Sequence, residues 1–443
     1  MDNTQKYIEH LQAMVRIPTV SHDDDSLTDY AAFDRLHACL EEMYPLVHRR
    51  MERISIGRAG LLFHLKSSHP SGKLPVLLMA HQDVVPEGPL EAWTHAPYSG
   101  DIADGCLWGR GSTDCKYLLM GELEAVESLL AEGFDPDYDL YLAFAHNEEV
   151  QSTEKGAALT VQYLQRQGVT LGAVFDEGSS MRRAEYEGKP FYLCQINLGE
   201  KAYQDYEIYC ECAGGHSMAP GSGTGLGKVA RAIVAIEENP LPYRLTDIVR
   251  SYLRAMAPFQ PKPLGDWYAE PDRYFAQLCE VAKQDKTLDS LLHTTCAVTM
   301  ASGSSQANLL PARASAIMNC RVLEGDTVES LLEHFRSLMP QGVQVRLLHG
   351  GDPSPVRSLG GRCLQLVEEI EQERSGGRSA IIPGLLAGGT DSRYYAPICE
   401  NVFRYSGYLR DERWGLPHAV NERIPCDSLH QGVDFFRAFL TRY

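Results

Sequence analysis

Residues 74–86 read LPVLLMAHQDVVP, a run of apolar residues that gives way at once to a histidine and an aspartate. An apolar run of this length, bounded by proline and polar residues, predicts a buried β-strand over 74–80. Helical periodicity appears before it, from Thr4 to Val15, and after it, from Lys116 to Glu132. Further apolar runs at 139–145 and 172–175 enclose another helical segment, 156–167. Strands that alternate with helices predict an α/β domain, with a mostly parallel sheet sandwiched by helices.

The pattern changes near residue 198. Residues 203–212 alternate between apolar and polar, as a half-exposed antiparallel strand does, and strands are also predicted at 296–300, 314–322 and 343–348. Helical segments at 225–238 and 328–338 lie between them, with a helical excursion over 239–295. We therefore expect an inserted α+β domain at 198–349. It would interrupt a catalytic domain made from residues 1–197 and 350–443.

Composition excludes several classes of protein. The 443 residues include 41 Lys and Arg against 59 Asp and Glu, a net charge of −18, which disfavours a nucleic-acid partner. No apolar run approaches the ~18–20 residues of a membrane span, and the first residues lack the apolar segment of a signal peptide. The twelve cysteines are scattered rather than grouped as a disulfide framework. These features predict an acidic, cytoplasmic globular protein.

Acids and histidines fall just beyond the predicted strands. His81 and Asp83 follow the strand at 74–80, the pair Glu148-Glu149 follows 139–145, and Asp176 follows 172–175. A fourth segment, the glycine-rich turn 109–114, ends at an aspartate and leads into the helix at 116. Because the carboxyl ends of parallel strands open into a common crevice, these side chains should meet there.

Such a cluster of carboxylates needs either raised pKa values or bound cations, because the negative charges repel one another. Two divalent ions would supply the positive charge and would also explain the histidines. Mixed imidazole and carboxylate ligands suit zinc, with cobalt or manganese as alternatives. Two ions bridged by one carboxylate, roughly 3.5–4 Å apart, form a hydrolytic site.

These motifs resemble the M20 family of di-zinc metallopeptidases in order and spacing. The motifs that carry the resemblance are His81-x-Asp83-Val-Val-Pro86, Gly109-Arg-Gly111-x-x-Asp114-x-Lys116, Glu148-Glu149, Asp176, Gly214-Gly-His216, Gly388-Gly-Thr-Asp391 and Pro417-His418-x-x-Asn-Glu422. The stretch from Trp93 to Tyr98 and the large insertion are most similar to the carboxypeptidase S and aminoacylase branch. The resemblance covers nearly the whole chain and implies a zinc-exopeptidase-like fold with a lid domain.

The resemblance also implies a ligand set of five residues. One ion would be held by His81 and Asp176, the other by Glu149 and His418, with Asp114 bridging both.

Two further residues of this domain would act on the ligands or the substrate. Glu148 would be the general base that deprotonates the attacking water. Asp83 lies two residues beyond His81 on an extended segment, hence on the same face, and would orient the imidazole.

Lid and substrate roles follow from the same resemblance. His216 would polarise the scissile carbonyl, and Asn308 and Arg321 would hold the carboxylate of the substrate. The backbone of Gly388 and Gly389 would line the substrate site.

The predicted activity is hydrolysis of a peptide or N-acyl-amino-acid amide beside a free carboxylate. An aminoacylase or deacylase with the same site is the first alternative. A non-catalytic relative that binds metal and peptide is the second, but it would be expected to lose the base or a ligand, and all of them are present. The predicted partner is a small peptide or N-acyl amino acid. A monomer and a homodimer formed through the inserted domain are both compatible with the sequence.

Overall fold

A computed structural model of the protein describes residues 3–150, 154–356 and 358–443. The chain divides into two compact units. Unit 1 comprises residues 1–198, 357–383 and 390–443, and unit 2 comprises residues 199–356 and 384–389.

Helices and strands are numbered in chain order. The helices are α1 (Thr4–Val15), α2 (Tyr30–Met43), α3 (Pro45–Arg50), α4 (Lys116–Ala131), α5 (Gly156–Arg166), α6 (Gly225–Glu238), α7 (Asp247–Met256), α8 (Leu264–Ala269), α9 (Phe275–Ala282), α10 (Lys286–Leu292), α11 (Val328–Leu338), α12 (Arg362–Arg374) and α13 (Leu429–Arg442). The strands are β1 (Glu52–Ile56), β2 (Gly60–Leu65), β3 (Val76–His81), β4 (Ile102–Ala103), β5 (Cys106–Trp108), β6 (Leu140–Ala145), β7 (Ala173–Asp176), β8 (Met181–Tyr186), β9 (Lys189–Glu200), β10 (Ala202–Glu211), β11 (Gly215–His216), β12 (Thr295–Ser302), β13 (Leu309–Leu310), β14 (Arg313–Val322), β15 (Gln344–Gly350), β16 (Ser379–Leu386), β17 (Val402–Arg404), β18 (Leu409–Arg410) and β19 (Arg423–Pro425).

The main sheet of unit 1 has the strand order β1-β2-β6-β3-β7-β17-β9-β8-β18. Its central strands β6, β3, β7 and β17 run parallel, whereas antiparallel pairs flank them on both sides. All six residues of β3 and of β6 are buried, as expected for strands covered on both faces. The predicted α/β class with a central, mostly parallel sheet is confirmed.

Helix α4 is the central helix of unit 1. It contacts β3 as well as α1, α3 and α13, so nearly all of its residues are buried. Tyr117 packs edge-on against Tyr408 and Trp414 with ring centroids 4.9 and 5.5 Å away. Because α4 begins at Lys116, its packing fixes where the preceding turn ends, at Asp114.

Unit 2 is built on an antiparallel sheet of order β12-β14-β10-β15. Every second residue of β14 is buried, so one face of the sheet packs against a core that includes residues of α6 and α11. A separate two-stranded ladder joins β11 to β13. The expected α+β character of the segment is therefore present, with helices α7 to α10 inside 239–295.

Sequence patterns located most of the buried elements within one or two residues. They did not predict the hairpin of β1 and β2, the hairpin of β8 and β9, or helix α2. The exposed pattern of β8 shows why: only its first residue is buried, so apolar alternation is absent. Within the described ranges, no helix has the length and apolar character needed to span a membrane.

Candidate metal centre

His81 is the last residue of β3, and its imidazole is almost completely buried. Nδ1 lies 2.9 Å from the backbone carbonyl oxygen of Asp83. Because a carbonyl oxygen only accepts, Nδ1 carries the proton of this bond and Nε2 is left for a ligand. Nε2 lies 3.0 Å from Oδ1 of Asp114. The ring of His81 is thus oriented by backbone, with Nε2 directed at a carboxylate.

Asp114 stands between two histidines. Oδ1 faces His81, and Oδ2 lies 3.1 Å from Nε2 of His418. Burial would raise the pKa of Asp114, but the hydrogen bonds from His418 and His81 hold it well below its usual range. Hydrogen bonds that His418 donates to the carboxylates of Asp114 and Glu149 raise the pKa of His418 to about 10. One carboxylate whose two oxygens face different imidazoles has the arrangement required of a ligand that bridges two metal ions.

Glu149 completes the cluster on the His418 side. Its Oε2 lies 2.9 Å from Nε2 of His418. Ligand atoms of His81, Asp114 and Glu149 all lie within 4.8 Å of one another. The donors are two imidazole nitrogens and carboxylate oxygens, a set that fits zinc and related divalent ions.

The structure places Glu177, rather than Asp176, beside His81. Oε1 of Glu177 lies 3.4 Å from Nε2 of His81. Asp176 instead accepts hydrogen bonds from the backbone amides of Glu177, at 2.8 Å, and Ser392, at 3.1 Å. Asp176 belongs to neither group of candidate metal ligands among the described residues, whereas Glu177 forms one with His81 and Cys115. Sequence reasoning did not single out Glu177, which directly follows Asp176 in the chain.

Asp83 holds the loop that carries the two glutamates. Its Oδ1 and Oδ2 accept the backbone N–H groups of Glu148 and Glu149, each at 3.1 Å, and Ser21 donates to Oδ2 at 2.6 Å. The Asp83 carboxylate is farther from the imidazole of His81, at 3.6 Å from Nδ1. Its contacts therefore position the loop more directly than they orient the ring.

Lys155 holds the same loop from its carbonyl side. The buried ammonium donates to the backbone oxygens of Asn147, at 2.8 Å, and Glu148, at 2.7 Å. The backbone of Glu148 is thus fixed through both its N–H group and its carbonyl group.

Excess negative charge is the main electrostatic feature of this cluster. Burial and the nearby carboxylate of Asp391 raise the pKa of Glu148 well above its usual range. Burial raises the pKa of Asp176 to about 6. Burial, followed by the charge of Asp114, raises the pKa of Glu177 to about 8. These groups resist ionisation as they stand, so cations beside them would stabilise the carboxylate forms. The donor set and its charge both fit divalent metal ions.

The predicted lid residues lie in unit 2. His216 is exposed on β11, and its Nδ1 accepts the backbone N–H of Met218 at 3.1 Å. The adjoining strand β13 brings Asn308 to the same place, where its backbone oxygen accepts from Ser217 at 2.9 Å. Arg321 lies on β14, with its guanidinium 4.7 Å from the ring centroid of Tyr203. Gly388 and Gly389 belong to the short segment 384–389 of this unit.

Comparison with known proteins identifies the class. The chain is 29% identical over 413 residues to the probable carboxypeptidase S-like 2 of Dictyostelium discoideum, covering 91% of this chain and 78% of that protein. It is 28% identical over 441 residues to the N-fatty-acyl-amino acid synthase/hydrolase PM20D1 of Mus musculus, covering 98% and 86%. An M20 family metallo-carboxypeptidase from Sulfolobus solfataricus, Sso-CP2, has the same fold, with a TM-score of 0.70 at 17% identity over 99% of each chain.

The mostly parallel sheet, with imidazoles and carboxylates beyond its strand ends, and these relatives together define a metal-dependent hydrolytic enzyme. The sequence pattern that defines Peptidase family M20/M25/M40 matches residues 77–442. The chain belongs to this family.

Proposed function

We propose that this enzyme hydrolyses the amide bond of an N-acyl or peptidyl amino acid beside a free carboxylate, with two divalent ions. The observation that carries the proposal is Asp114, whose two oxygens face His81 and His418 separately at 3.0 and 3.1 Å. A carboxypeptidase and an N-fatty-acyl-amino acid hydrolase both cleave such an amide, so both relatives support hydrolysis of the same type of bond.

We assign the ligands from the observed geometry. His81, Asp114 and Glu177 would hold one ion, and Asp114, Glu149 and His418 the other. This replaces Asp176 by Glu177, because Oε1 of Glu177 lies 3.4 Å from Nε2 of His81, whereas Asp176 belongs to neither group of candidate ligands among the described residues. Zinc is the proposed metal, since the ligands are nitrogen and oxygen donors, with cobalt and manganese as alternatives.

Bound ions of this kind polarise a carbonyl and lower the pKa of water. Glu148 then accepts a proton from the attacking water, as the water oxygen bonds to the carbonyl carbon. The same carboxyl passes that proton to the leaving nitrogen when the amide bond breaks, which releases an amine and a carboxylic acid. Asp83 and Lys155 keep the Glu148 backbone in place during both transfers.

Unit 2 would supply substrate recognition. We assign His216 to the scissile carbonyl, Asn308 and Arg321 to the substrate carboxylate, and the backbone of Gly388 and Gly389 to the wall of the site. Arginine suits a carboxylate because its planar fork donates two parallel hydrogen bonds.

A homodimer through unit 2 is part of the proposal. Strand β12 lies at an edge of its sheet, and Met300 on it is 65% exposed. Leu226 and Val234 of α6 are exposed as well. An unpaired edge with apolar neighbours suits pairing with a second copy. Sedimentation velocity tests this, and a monomer at all concentrations would exclude it.

A cytoplasmic location is proposed from the thiols. All twelve cysteines are free in the structure, and thiols stay reduced in the cytoplasm. Fractionation of cells that express the tagged chain tests this location.

The test of the activity uses metal-depleted protein, titrated with Zn²⁺, Co²⁺ or Mn²⁺ while release of free amino acid is followed. Dipeptides, N-acetyl amino acids and N-fatty-acyl amino acids form the substrate panel, each compared with its carboxyl-amidated form. Metal-dependent release is expected to be much faster from the free acids than from their amidated forms. Faster release from acyl substrates than from dipeptides would make the enzyme a deacylase. No metal-dependent release across the panel would refute the proposal.

A further inference from the structure

A buried ion pair joins two segments that are distant in sequence. Nη1 of Arg110 lies 2.7 Å from Oε2 of Glu422, and the two side chains are 2% and 0% exposed. Arg110 follows β5, and Glu422 directly precedes β19, which pairs with β5. Burying two charges is costly unless the remaining donors and acceptors are also satisfied. The other partners of each side chain therefore show what the pair holds.

Glu422 holds the turn that presents Asp114. Its carboxylate accepts the backbone N–H of Gly111 at 3.1 Å and of Thr113 at 2.7 Å. The hydroxyl of Thr113 donates to it as well, at 3.0 Å. Because Thr113 directly precedes Asp114, these three bonds fix the backbone from which the Asp114 carboxylate extends.

Arg110 holds the segment that presents His418. Its guanidinium donates to the carbonyl oxygens of His418, at 3.3 Å, and Ala419, at 3.2 Å. A further bond of 3.3 Å reaches the carbonyl oxygen of Pro86. His418 has φ of +63°, a conformation that residues with a side chain rarely adopt unless their surroundings enforce it. The hydrogen bond from the guanidinium to the carbonyl oxygen of His418 helps to hold the backbone in this conformation.

We propose that the Arg110–Glu422 ion pair is a positioning device that sets the separation of Asp114 and His418, and so assembles the ligands of the second ion. The inference rests on the proposed function, in which Asp114, Glu149 and His418 hold that ion. Glu149 is fixed independently, by the carboxylate of Asp83. The first ion shares Asp114, but its other two ligands, His81 and Glu177, lie at the ends of β3 and β7, and the guanidinium makes no hydrogen bond with them among the described residues. Loss of Arg110 should therefore affect the two ions unequally.

The test compares Arg110→Met with a matched control, Arg374→Met. Arg374 forms a similar pair in the same unit, since it donates to the buried Glu371 at 2.6 Å and to the backbone oxygens of Gly407 and Gln431. Each substitution removes one guanidinium and leaves one buried glutamate. Metal-depleted proteins are titrated with Co²⁺, each equivalent is followed by visible absorption, and bound metal is counted after dialysis against buffered Zn²⁺.

Wild type and R374M are expected to bind two ions, with a lowered unfolding temperature in R374M. R110M should keep one ion at near wild-type affinity and bind the second about 10- to 100-fold more weakly. Equal weakening of both ions, or two ions at wild-type affinity, would overturn the inference.

A second variant decides the question if circular dichroism shows that R110M is unfolded. Arg110→Lys keeps a positive charge opposite Glu422 but replaces the planar fork by a single ammonium, which cannot span the same carbonyl oxygens. R110K is expected to weaken the second ion selectively, and wild-type binding of both ions would overturn the inference. If wild type itself fails to bind two ions, the proposed function fails. If wild type binds two and the variants follow it, only the positioning role fails.

Discussion

Oε1 of Glu177 lies 3.4 Å from Nε2 of His81. The preceding residue, Asp176, directs both carboxylate oxygens to backbone N–H groups instead. Strand β7 ends at Asp176 and the chain bends at Glu177, so the two consecutive carboxylates face different partners.

Exchange of the two acids for amides should therefore separate their roles. Glu177→Gln is expected to weaken one of two metal ions about 10- to 100-fold or more, because it removes a negative ligand. Asp176→Asn should retain both ions, since an amide oxygen can still accept one of the two backbone bonds. Isothermal titration of metal-depleted protein measures both affinities. Loss of an ion in D176N, with normal binding in E177Q, would restore Asp176 as the ligand.

The difference between these acids shows how far the sequence could lead. Apolar runs such as 74–80 and 139–145 predict buried strands, and the strand ends predict where His81 and Glu148 meet. The choice between Asp176 and Glu177 depends on backbone direction after β7, which apolar periodicity does not encode. The role of Asp83 depends on its carboxylate reaching two amides 65 and 66 residues away, which composition and spacing do not reveal.

Long-range pairs of charged residues were also beyond sequence reasoning. Arg110 and Glu422 are 312 positions apart, and each lies in a motif whose proposed metal ligand is a different residue. Lys155 follows a glutamate and precedes a glycine, a context in which an exposed lysine is the ordinary expectation. Burial of these charges is a tertiary property, set by the way β5, β19 and α5 pack.

Removal of the proposed general base should stop turnover without removing metal. Glu148→Gln keeps the size of the side chain but cannot accept a proton, so kcat should fall by ~10²–10⁴-fold. Metal content and KM are expected to stay near wild type. Glu154→Gln, an exposed glutamate farther along the chain, serves as the control and should leave kcat unchanged. Near-normal turnover in E148Q would assign the base to another group.

Loss of the Lys155 ammonium should displace Glu148 rather than any metal ligand. Lys155→Met removes the bonds to the carbonyl oxygens of Asn147 and Glu148. A shift of the base by about 1 Å can cost 10²-fold in rate, so kcat should fall by up to about 10²-fold with KM and metal content little changed. Steady-state kinetics with metal analysis measures all three quantities.

The control for Lys155 is another buried lysine. Lys201 in unit 2 donates to the backbone oxygens of Ser290 and His293, each at 2.9 Å. Lys201→Met should lower the unfolding temperature, as K155M does, but without the same loss of kcat. Similar losses of kcat in both variants would show that Lys155 contributes only to general stability.

Arg321 offers a test of substrate recognition. Arg321→Met should raise KM for substrates with a free carboxylate and leave the slow reaction of carboxyl-amidated analogues unchanged, because only the former lose a charged hydrogen bond. The loss is expected to be about 10- to 10²-fold in kcat/KM, equivalent to about 1.5–3 kcal/mol. The control is Arg346→Met on β15, at the edge of the same sheet, where the arginine pairs with Glu207 at 2.7 Å. Equal losses of kcat/KM for free and amidated substrates would show that Arg321 does not bind the substrate carboxylate.

Stability of the metal-free protein should depend on pH with a defined sign. The pKa values of Asp176 and Glu177 are raised to about 6 and about 8, so the folded state binds their protons more tightly than the unfolded state does. The stabilisation that comes from protonated Asp176 and Glu177 is fully present below about pH 4 and is lost as the pH rises to about 8. Metal-free protein should therefore unfold at lower urea concentration at about pH 8 than at about pH 5.

Bound metal should remove this dependence, because cations favour the ionised carboxylates. Metal affinity is accordingly expected to increase over the same interval, as protons cease to compete for the ligands. The double variant D176N/E177Q cannot titrate at these positions. The urea midpoint of its metal-free form should therefore change little between about pH 5 and pH 8. Urea unfolding with and without Zn²⁺ across this interval measures the effect, and a midpoint that rises with pH in the metal-free protein would contradict it.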